Sequence, residues 1–287
     1  MQKRTAMIKF IISLLIFGLN GVVASRTGIS NYDIVFWRTF IGFICLTAIF
    51  FAKGFRPSFH KKQKSLVFLT ISGVSMGISW MLLFGSYTKN GISITSMLYY
   101  TGPVWVLMLS PAIFKEKLSI FSVIGFVIVL LGMVLTNIEG ATSGTLNPSL
   151  LLAIGSALTF ALMVISNKKA SEIVGLENTI LQIFFAFLSV SAYILISGRS
   201  LEHITMSGLP YVLFLGFIST GLACYLYFSA IQELNASTVS ICGYIDPMSA
   251  LLFAGFLCGE KLSPLQYLGA VLIFGGACIG ELFSKKA

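Results

Sequence analysis

Ten apolar stretches of about 20 residues make up most of this 287-residue chain, and each is long enough to cross a bilayer as a helix. A hydrocarbon core about 30 Å thick needs about 20 residues at a rise of about 1.5 Å each. Charged residues are only 10% of the chain and the mean hydropathy is +0.93, which excludes a soluble globular protein. We therefore predict an all-α integral membrane protein with ten transmembrane helices, near residues 8–27, 34–52, 66–87, 92–114, 119–137, 149–167, 178–198, 209–230, 237–258 and 263–282.

The positive charges indicate how the chain is oriented. Ten crossings place both termini on one side of the membrane, and 14 of the 19 lysine and arginine residues fall on that side. By the positive-inside rule both termini are cytoplasmic, in the inner or plasma membrane. This topology accounts for the net charge of +9, so we predict no nucleic-acid partner. The basic loop at residues 53–64 is alternatively a contact for anionic membrane lipid.

The residue types needed for catalysis and metal binding are sparse. The five cysteines lie in apolar stretches without a CxxC pair, and His60 and His203 are far in sequence from other ligand types. No GxxxxGK[ST] phosphate loop occurs, so ATP is not the direct energy source. We therefore predict no metal, no cofactor and no enzymatic activity. A membrane-embedded lipid-modifying enzyme is the alternative, and it would need His, Asp or Glu clustered at one face.

The second half of the chain repeats the first at an offset of 144 residues, about half the chain length. The repeat includes an unbroken Glu-Lys-Leu-Ser and gapless flanking identities. Matching residues are Tyr100, Pro103, Leu107, Glu116, Lys117, Leu118, Ser119, Gly125, Val127 and Gly132 in the first half, and Tyr244, Pro247, Leu251, Glu260, Lys261, Leu262, Ser263, Gly269, Val271 and Gly276 in the second.

This duplication predicts two five-helix repeats, over residues 1–143 and 144–287. Because five is odd, the second repeat enters the membrane in the opposite direction to the first. Two similar folds related by an axis in the membrane plane can exchange conformations, so one arrangement open to one side implies a second open to the other. We therefore expect transport by alternating access.

These features resemble the EamA family of the drug/metabolite transporter superfamily. The similarity covers the whole chain and rests on the two repeats, each with a mid-span proline, Glu-Lys-Leu-Ser and a Gly-rich closing helix. The resemblance implies export or exchange of small metabolites such as amino acids, through a cavity lined chiefly by the first, third, fourth, sixth, eighth and ninth spans. It also implies that the fifth and tenth spans pack outside the cavity.

Asp246 is the one acidic residue that we place in the middle of a span. A charged side chain at the bilayer centre costs about 2.5–3.5 kcal/mol on insertion scales, which favours a functional position facing the bundle interior. It would either carry a coupling proton or serve as the counter-charge to an ammonium group of the substrate. The structural alternative is that Asp246 satisfies backbone groups freed by the kink at Pro247.

Aromatic residues accompany the duplicated proline kinks. Tyr99 and Tyr100 precede Pro103 in the fourth span, and Tyr244 precedes Pro247 in the ninth. Tyrosine rings bind ammonium groups through their faces and their hydroxyls donate to carboxylates, so these residues are candidates for substrate binding. The alternative is that they belong to the aromatic belts at the membrane interface.

Three further polar or aromatic residues lie in early spans. Asn20 and Trp80 are candidates for substrate binding, with helix–helix contacts and core packing as the respective alternatives. We expect Arg38 to extend to the outer interface, with contact to an anionic substrate group as the alternative. Glu116 and Glu260 end the fourth and ninth spans, and each is either a gate latch or a fixed structural clasp.

Together these features predict a secondary active transporter for small polar metabolites such as amino acids or amines. Export coupled to protons is the favoured mode, and a quaternary-amine or drug importer of the same fold is the alternative. The expected partners are a small-molecule substrate and membrane lipid, and the chain is expected to be a monomer or a homodimer.

Overall fold

The computed structural model describes residues 2–90, 92–141, 150–258 and 263–280, and this part of the chain contains helices and no strands. Besides one short 3-10 turn at Phe59–Lys61, the helices form ten apolar segments. In order, these are Gln2–Gly18 with Asn20–Ala24; Asn31–Ala52; Gln63–Asn90; Ile92–Tyr99 with Gly102–Phe114; Ile120–Ala141; Leu150–Lys169; Gly175–Ile196; Leu209–Phe214, Leu215–Ala223 and Cys224–Ile231; Ala236–Cys242 with Ile245–Cys258; and Pro264–Cys278.

The ten segments confirm the predicted all-α membrane architecture. Within the described residues, nine are long and apolar enough to cross a membrane, and the tenth, Pro264–Cys278, is a shorter apolar helix. The predicted ends are less accurate. The second span begins at Asn31 rather than at 34, because Ser30 has an extended backbone and its hydroxyl accepts the Asp33 N–H at 3.3 Å. Such a cap starts the helix earlier than the apolar pattern does.

The fourth and ninth spans are each broken at the same position of the repeat. The first break separates Ile92–Tyr99 from Gly102–Phe114, and the second separates Ala236–Cys242 from Ile245–Cys258. In both, the repeated proline lies in the first turn of the second half-helix, where its missing N–H costs no helical hydrogen bond. Pro103 and Pro247 therefore mark helix starts rather than kinks within a continuous helix.

The fifth and tenth spans pack against each other through glycines. A Cβ atom on Gly125 would lie 2.5 Å from the Gly276 carbonyl oxygen, and one on Gly132 would lie 2.6 Å from that of Gly269. The two helices are therefore antiparallel and in close backbone contact. Adding 144 to Gly125 and subtracting 144 from its partner Gly276 gives Gly269 and Gly132, so the repeat relation interchanges the two contacts. Equivalent helices of the two repeats thus run in opposite directions, as an inverted repeat requires.

A second pair of contacts, at the ends of the spans, is related by the repeat in the same way. The Glu177 carboxylate accepts hydrogen bonds from the Ser58 N–H at 2.5 Å and the Ser58 hydroxyl at 2.7 Å. At the equivalent positions of the other repeat, the Asp33 carboxylate accepts the Glu202 N–H at 3.4 Å. The repeats therefore share tertiary contacts as well as sequence.

Candidate functional site

A cavity of about 130 Å³ lies between the two repeats. The first, third, fourth, sixth, eighth and ninth spans supply all of its lining residues except one. That exception is Arg38 of the second span. The fifth and tenth spans contribute no lining residue, and they pack against each other instead. The cavity therefore has the span composition that the family resemblance implied.

Five of the six residues predicted to bind substrate line this cavity together. They come from four different spans, and Pro103 lies beside them. The five are Asn20, Trp80, Tyr99, Tyr100 and Asp246. Most of the other lining side chains are aliphatic or aromatic, so these polar groups converge in an apolar enclosure, an arrangement typical of small-molecule sites.

Tyr244, the sixth of these residues, lies behind the cavity wall. Its side chain is 0% exposed, and its hydroxyl donates to the Tyr100 carbonyl oxygen at 2.6 Å. Helix breaks leave backbone carbonyls without their usual partners, and Tyr244 supplies one for Tyr100 at the break in the fourth span. The two tyrosines are equivalent residues of the repeats. Tyr244 therefore fixes the backbone that carries Tyr100 rather than facing the cavity.

Asp246 begins the second half-helix of the ninth span and is partly buried. Its backbone N–H donates to the Gly243 carbonyl at 3.2 Å, and its carbonyl accepts the Ser249 hydroxyl at 2.8 Å. Within the described residues, no hydrogen bond uses its carboxylate. The backbone at this break is thus satisfied by other groups, and the carboxylate remains available to the cavity. The positive end of the half-helix stabilises its charge.

Arg38 lies inside the bundle, so the expectation that it reaches the outer interface is wrong. Its side chain is only 7% exposed, its Nε donates to the Thr220 hydroxyl at 2.8 Å, and its Cζ lies 4.7 Å from the centre of the Trp80 ring. The early start of the second span places Arg38 about two turns inside the helix. A sequence signal existed, because the repeat equivalent Gln182 also interrupts an apolar stretch.

Gln182, the repeat equivalent of Arg38, is also polar but makes different contacts. Its amide donates to the Met76 sulfur at 3.8 Å and accepts from the Asn167 amide at 3.2 Å. Met76 and Thr220 are themselves equivalent, so the contacts of Gln182 and Arg38 interchange under the repeat. Only Arg38 of the two lines the cavity. The scaffold is symmetric while the charge in the site is not.

Span ends on the side of the membrane that bears Glu116 are joined by contacts both between the repeats and within the second repeat. The Glu116 carboxylate accepts the backbone N–H groups of Ala236 at 2.8 Å and Ser237 at 3.2 Å, which caps the start of the ninth span. Lys168 donates to the carbonyl oxygens of Ile231, at 3.0 Å, and Leu234, and its ammonium lies 5.4 Å from the Phe114 ring centre. The equivalent of Glu116, Glu260, lies outside the described residues.

Asn20 presents a buried acceptor at the cavity. Its side-chain oxygen has no hydrogen-bond partner among the described residues. An unpaired acceptor buried in this way costs about 1–3 kcal/mol, so a donor is expected to occupy the space beside it. No group of three or more His, Cys, Asp or Glu suited to a metal occurs in the described part of the chain.

Comparison with known proteins decides what this architecture is. The model of the EamA-like transporter family matches residues 4–138 and again residues 147–279. The chain is a member of the EamA-like transporter family. It is therefore a multi-pass membrane transporter of a small-molecule substrate and not an enzyme. The boundary predicted between residues 143 and 144 lies outside the described residues.

Known transporters and a solved structure match over nearly the whole chain. An uncharacterized transporter of Bacillus subtilis, YxxF, is 27% identical, covering 97% of this chain and 90% of its own. An S-adenosylmethionine uptake transporter of Rickettsia felis is 23% identical, covering 97% and 92%. A solved crystal structure aligns with a TM-score of 0.83 at 17% identity, covering 99% of this chain and 98% of its own, which shows the shared fold alone.

Proposed function

We propose that this EamA-like transporter exports small polar metabolites, amino acids or amines, by proton-coupled alternating access. The observation that carries the proposal is the Asp246 carboxylate, which lines an otherwise largely apolar cavity and receives no hydrogen bond from the described residues. Such a group binds either a proton or the ammonium of a substrate. If a proton and the substrate compete for Asp246, each outward passage of substrate is coupled to an inward passage of a proton.

The surroundings of Asp246 favour a cationic or partly cationic substrate. Trp80, Tyr99 and Tyr100 line the same cavity, and aromatic faces attract ammonium groups. Asn20 adds an unpaired acceptor for an N–H donor. The proposed substrate is therefore a small molecule with at least one amino group.

Alternating access is supported by the interchange of contacts between the repeats. With 14 of the 19 lysine and arginine residues on the side of the termini, we place both termini in the cytoplasm. We infer that the contacts of Glu116 and Lys168 close the cavity at their end, which is then the cytoplasmic end. In the proposed cycle this end opens to take up substrate from the cytoplasm.

Uptake of a cationic metabolite is the second candidate function. The relative from Rickettsia felis is named as an uptake transporter for S-adenosylmethionine, and Asp246 suits a permanent cation as well as an ammonium group. Vesicles loaded with substrate distinguish export from uptake, because a given proton gradient drives the substrate in opposite directions through a proton antiporter and a proton symporter.

The proposal is tested with Asp246→Asn in vesicles that contain purified protein. If Asp246 couples protons, the variant loses accumulation driven by a pH gradient but still exchanges substrate at equilibrium. If Asp246 is only the counter-charge for the substrate, both activities fall together. Glu233→Gln is the matched control, because Glu233 is exposed and outside the cavity. Gradient-driven accumulation that is unchanged in Asp246→Asn would refute both roles.

A further inference from the structure

Arg38 is a buried cation most of whose hydrogen-bonding capacity is unused. A guanidinium group has five N–H donors. Among the described residues, only the Nε–H has an acceptor, the Thr220 hydroxyl. The Trp80 ring, whose centre lies 4.7 Å from the Arg38 Cζ, attracts the positive charge but offers no oxygen acceptor to the four remaining N–H groups.

The two terminal nitrogens of Arg38 therefore have no acceptor in the described part of the chain, although Arg38 is only 7% exposed. Buried charges in membrane proteins are costly unless they are paired. The Arg38 side chain lines the cavity, so an anionic group within the cavity is within its reach. A planar carboxylate suits the two parallel N–H groups of a guanidinium.

The opposite charge in the cavity does not neutralise Arg38 directly. Asp246 and Arg38 attract each other electrostatically, yet within the described residues they form no ion pair. The cavity thus presents a cation and an anion that are not paired with each other. A molecule that carries both charges complements this arrangement, whereas a simple amine leaves Arg38 unpaired and a simple acid leaves Asp246 unpaired.

We infer that Arg38 binds the carboxylate of a zwitterionic α-amino acid while Asp246 faces its ammonium group. This assignment rests on the proposed function and narrows its substrate class from amines and amino acids to amino acids alone. The Trp80 ring lies beside the guanidinium, with its centre 4.7 Å from the Arg38 Cζ, and so occupies one side from which a carboxylate could otherwise approach. The apolar lining, which includes Met76, Phe160 and Val164, then favours an uncharged side chain on the substrate.

The test compares ligands that differ only in the carboxylate. Purified protein is titrated with L-leucine and L-methionine, and with the two amines that lack their carboxylates. Because removal of one partner of a buried charge pair has a large effect, we expect the wild type to bind each amino acid at least about 30-fold more tightly than its amine. Arg38→Gln should bind the two members of each pair about equally.

Arg38→Lys is the second variant, because it keeps the charge. It should retain folding and show an intermediate preference, since lysine cannot form the bidentate contact. Arg199→Gln is the matched control: the Arg199 guanidinium also lies 4.7 Å from an aromatic centre, that of Tyr32, but Arg199 is exposed and outside the cavity. This control should keep the full preference for the amino acid.

The possible failures of the two proposals differ. Equal binding of amino acid and amine by the wild type, or an unchanged preference in Arg38→Gln, overturns the inference about Arg38 and leaves the transport of amines standing. Absence of binding and of vesicle transport for every ligand of both classes overturns the proposed function as well.

Discussion

Glu116 provides a direct test of whether the closed end of the cavity is a moving gate. Its carboxylate belongs to the connection after the fourth span, and it accepts the N–H groups of Ala236 and Ser237 at the start of the ninth. Both spans line the cavity. If this end opens during transport, the two hydrogen bonds must break. Replacement with glutamine then favours the open state, because it removes the negative charge and one of the two acceptor oxygens.

The size of the effect follows from the two contacts. A hydrogen bond to a charged group contributes about 1.5–3 kcal/mol, and the start of a helix attracts negative charge in addition. Glutamine keeps one acceptor oxygen, so Glu116→Gln should lose about 1.5–3 kcal/mol of stabilisation of the closed state. Each 1.4 kcal/mol is about a tenfold change in an equilibrium constant, so the open fraction should rise roughly 10- to 100-fold while it is small.

The assay measures how fast a cysteine in the cavity reacts from the side bearing Glu116. The five native cysteines are replaced by alanine and a single cysteine is placed at Val239, a buried cavity residue of the ninth span. Its labelling rate should rise with Glu116→Gln and stay constant with the control Glu233→Gln. A constant rate in Glu116→Gln, together with a lower melting temperature, would show that Glu116 is a fixed clasp and refute the gating argument.

Two further substitutions test the same architecture. Lys168→Met removes the ammonium that donates to two carbonyls while keeping the stem beside Phe114, so the same labelling rate should rise, and a rate equal to that of the wild type would contradict the prediction. Gly132→Ala places a Cβ atom 2.6 Å from the Gly269 carbonyl oxygen and should lower the free energy of unfolding by about 1–3 kcal/mol, measured in detergent. Gly275→Ala is its control, because a Cβ atom there meets nothing within 4 Å and should leave stability unchanged or slightly higher.

The sequence was sufficient to predict the fold because its signals are long and redundant. Apolar stretches of about 20 residues have few alternatives to a membrane span, and the match at an offset of 144 residues fixes two repeats with an odd number of spans. Helix ends were harder to place, since they depend on local caps. The cap at Ser30 is one example: it starts the second span earlier than the apolar pattern predicts and so places Arg38 deeper in the helix.

The cavity was only partly predictable, because transmembrane helices are apolar on most faces and periodicity does not identify the inner one. Asp246 was recognisable because a carboxylate avoids lipid. The sequence supported Tyr244 equally well as a substrate-binding residue, yet its hydroxyl donates to the Tyr100 carbonyl oxygen. The position of Arg38 in the cavity could be recognised only from where its helix begins and from the contact with Trp80, and a single sequence supplies neither.

The contacts that break the repeat symmetry determine which conformation is preferred. If every closing contact had an equivalent at the other end, the conformations open to the two sides would have nearly equal free energies. Lys168 has no such counterpart, because the equivalent residue is Ala24, which cannot donate to backbone carbonyls. In the proposed cycle, the conformation closed at the end that bears Lys168 is therefore favoured without substrate. A substrate can open this end only by binding the alternative conformation more tightly, by at least the free energy that the Lys168 contacts contribute.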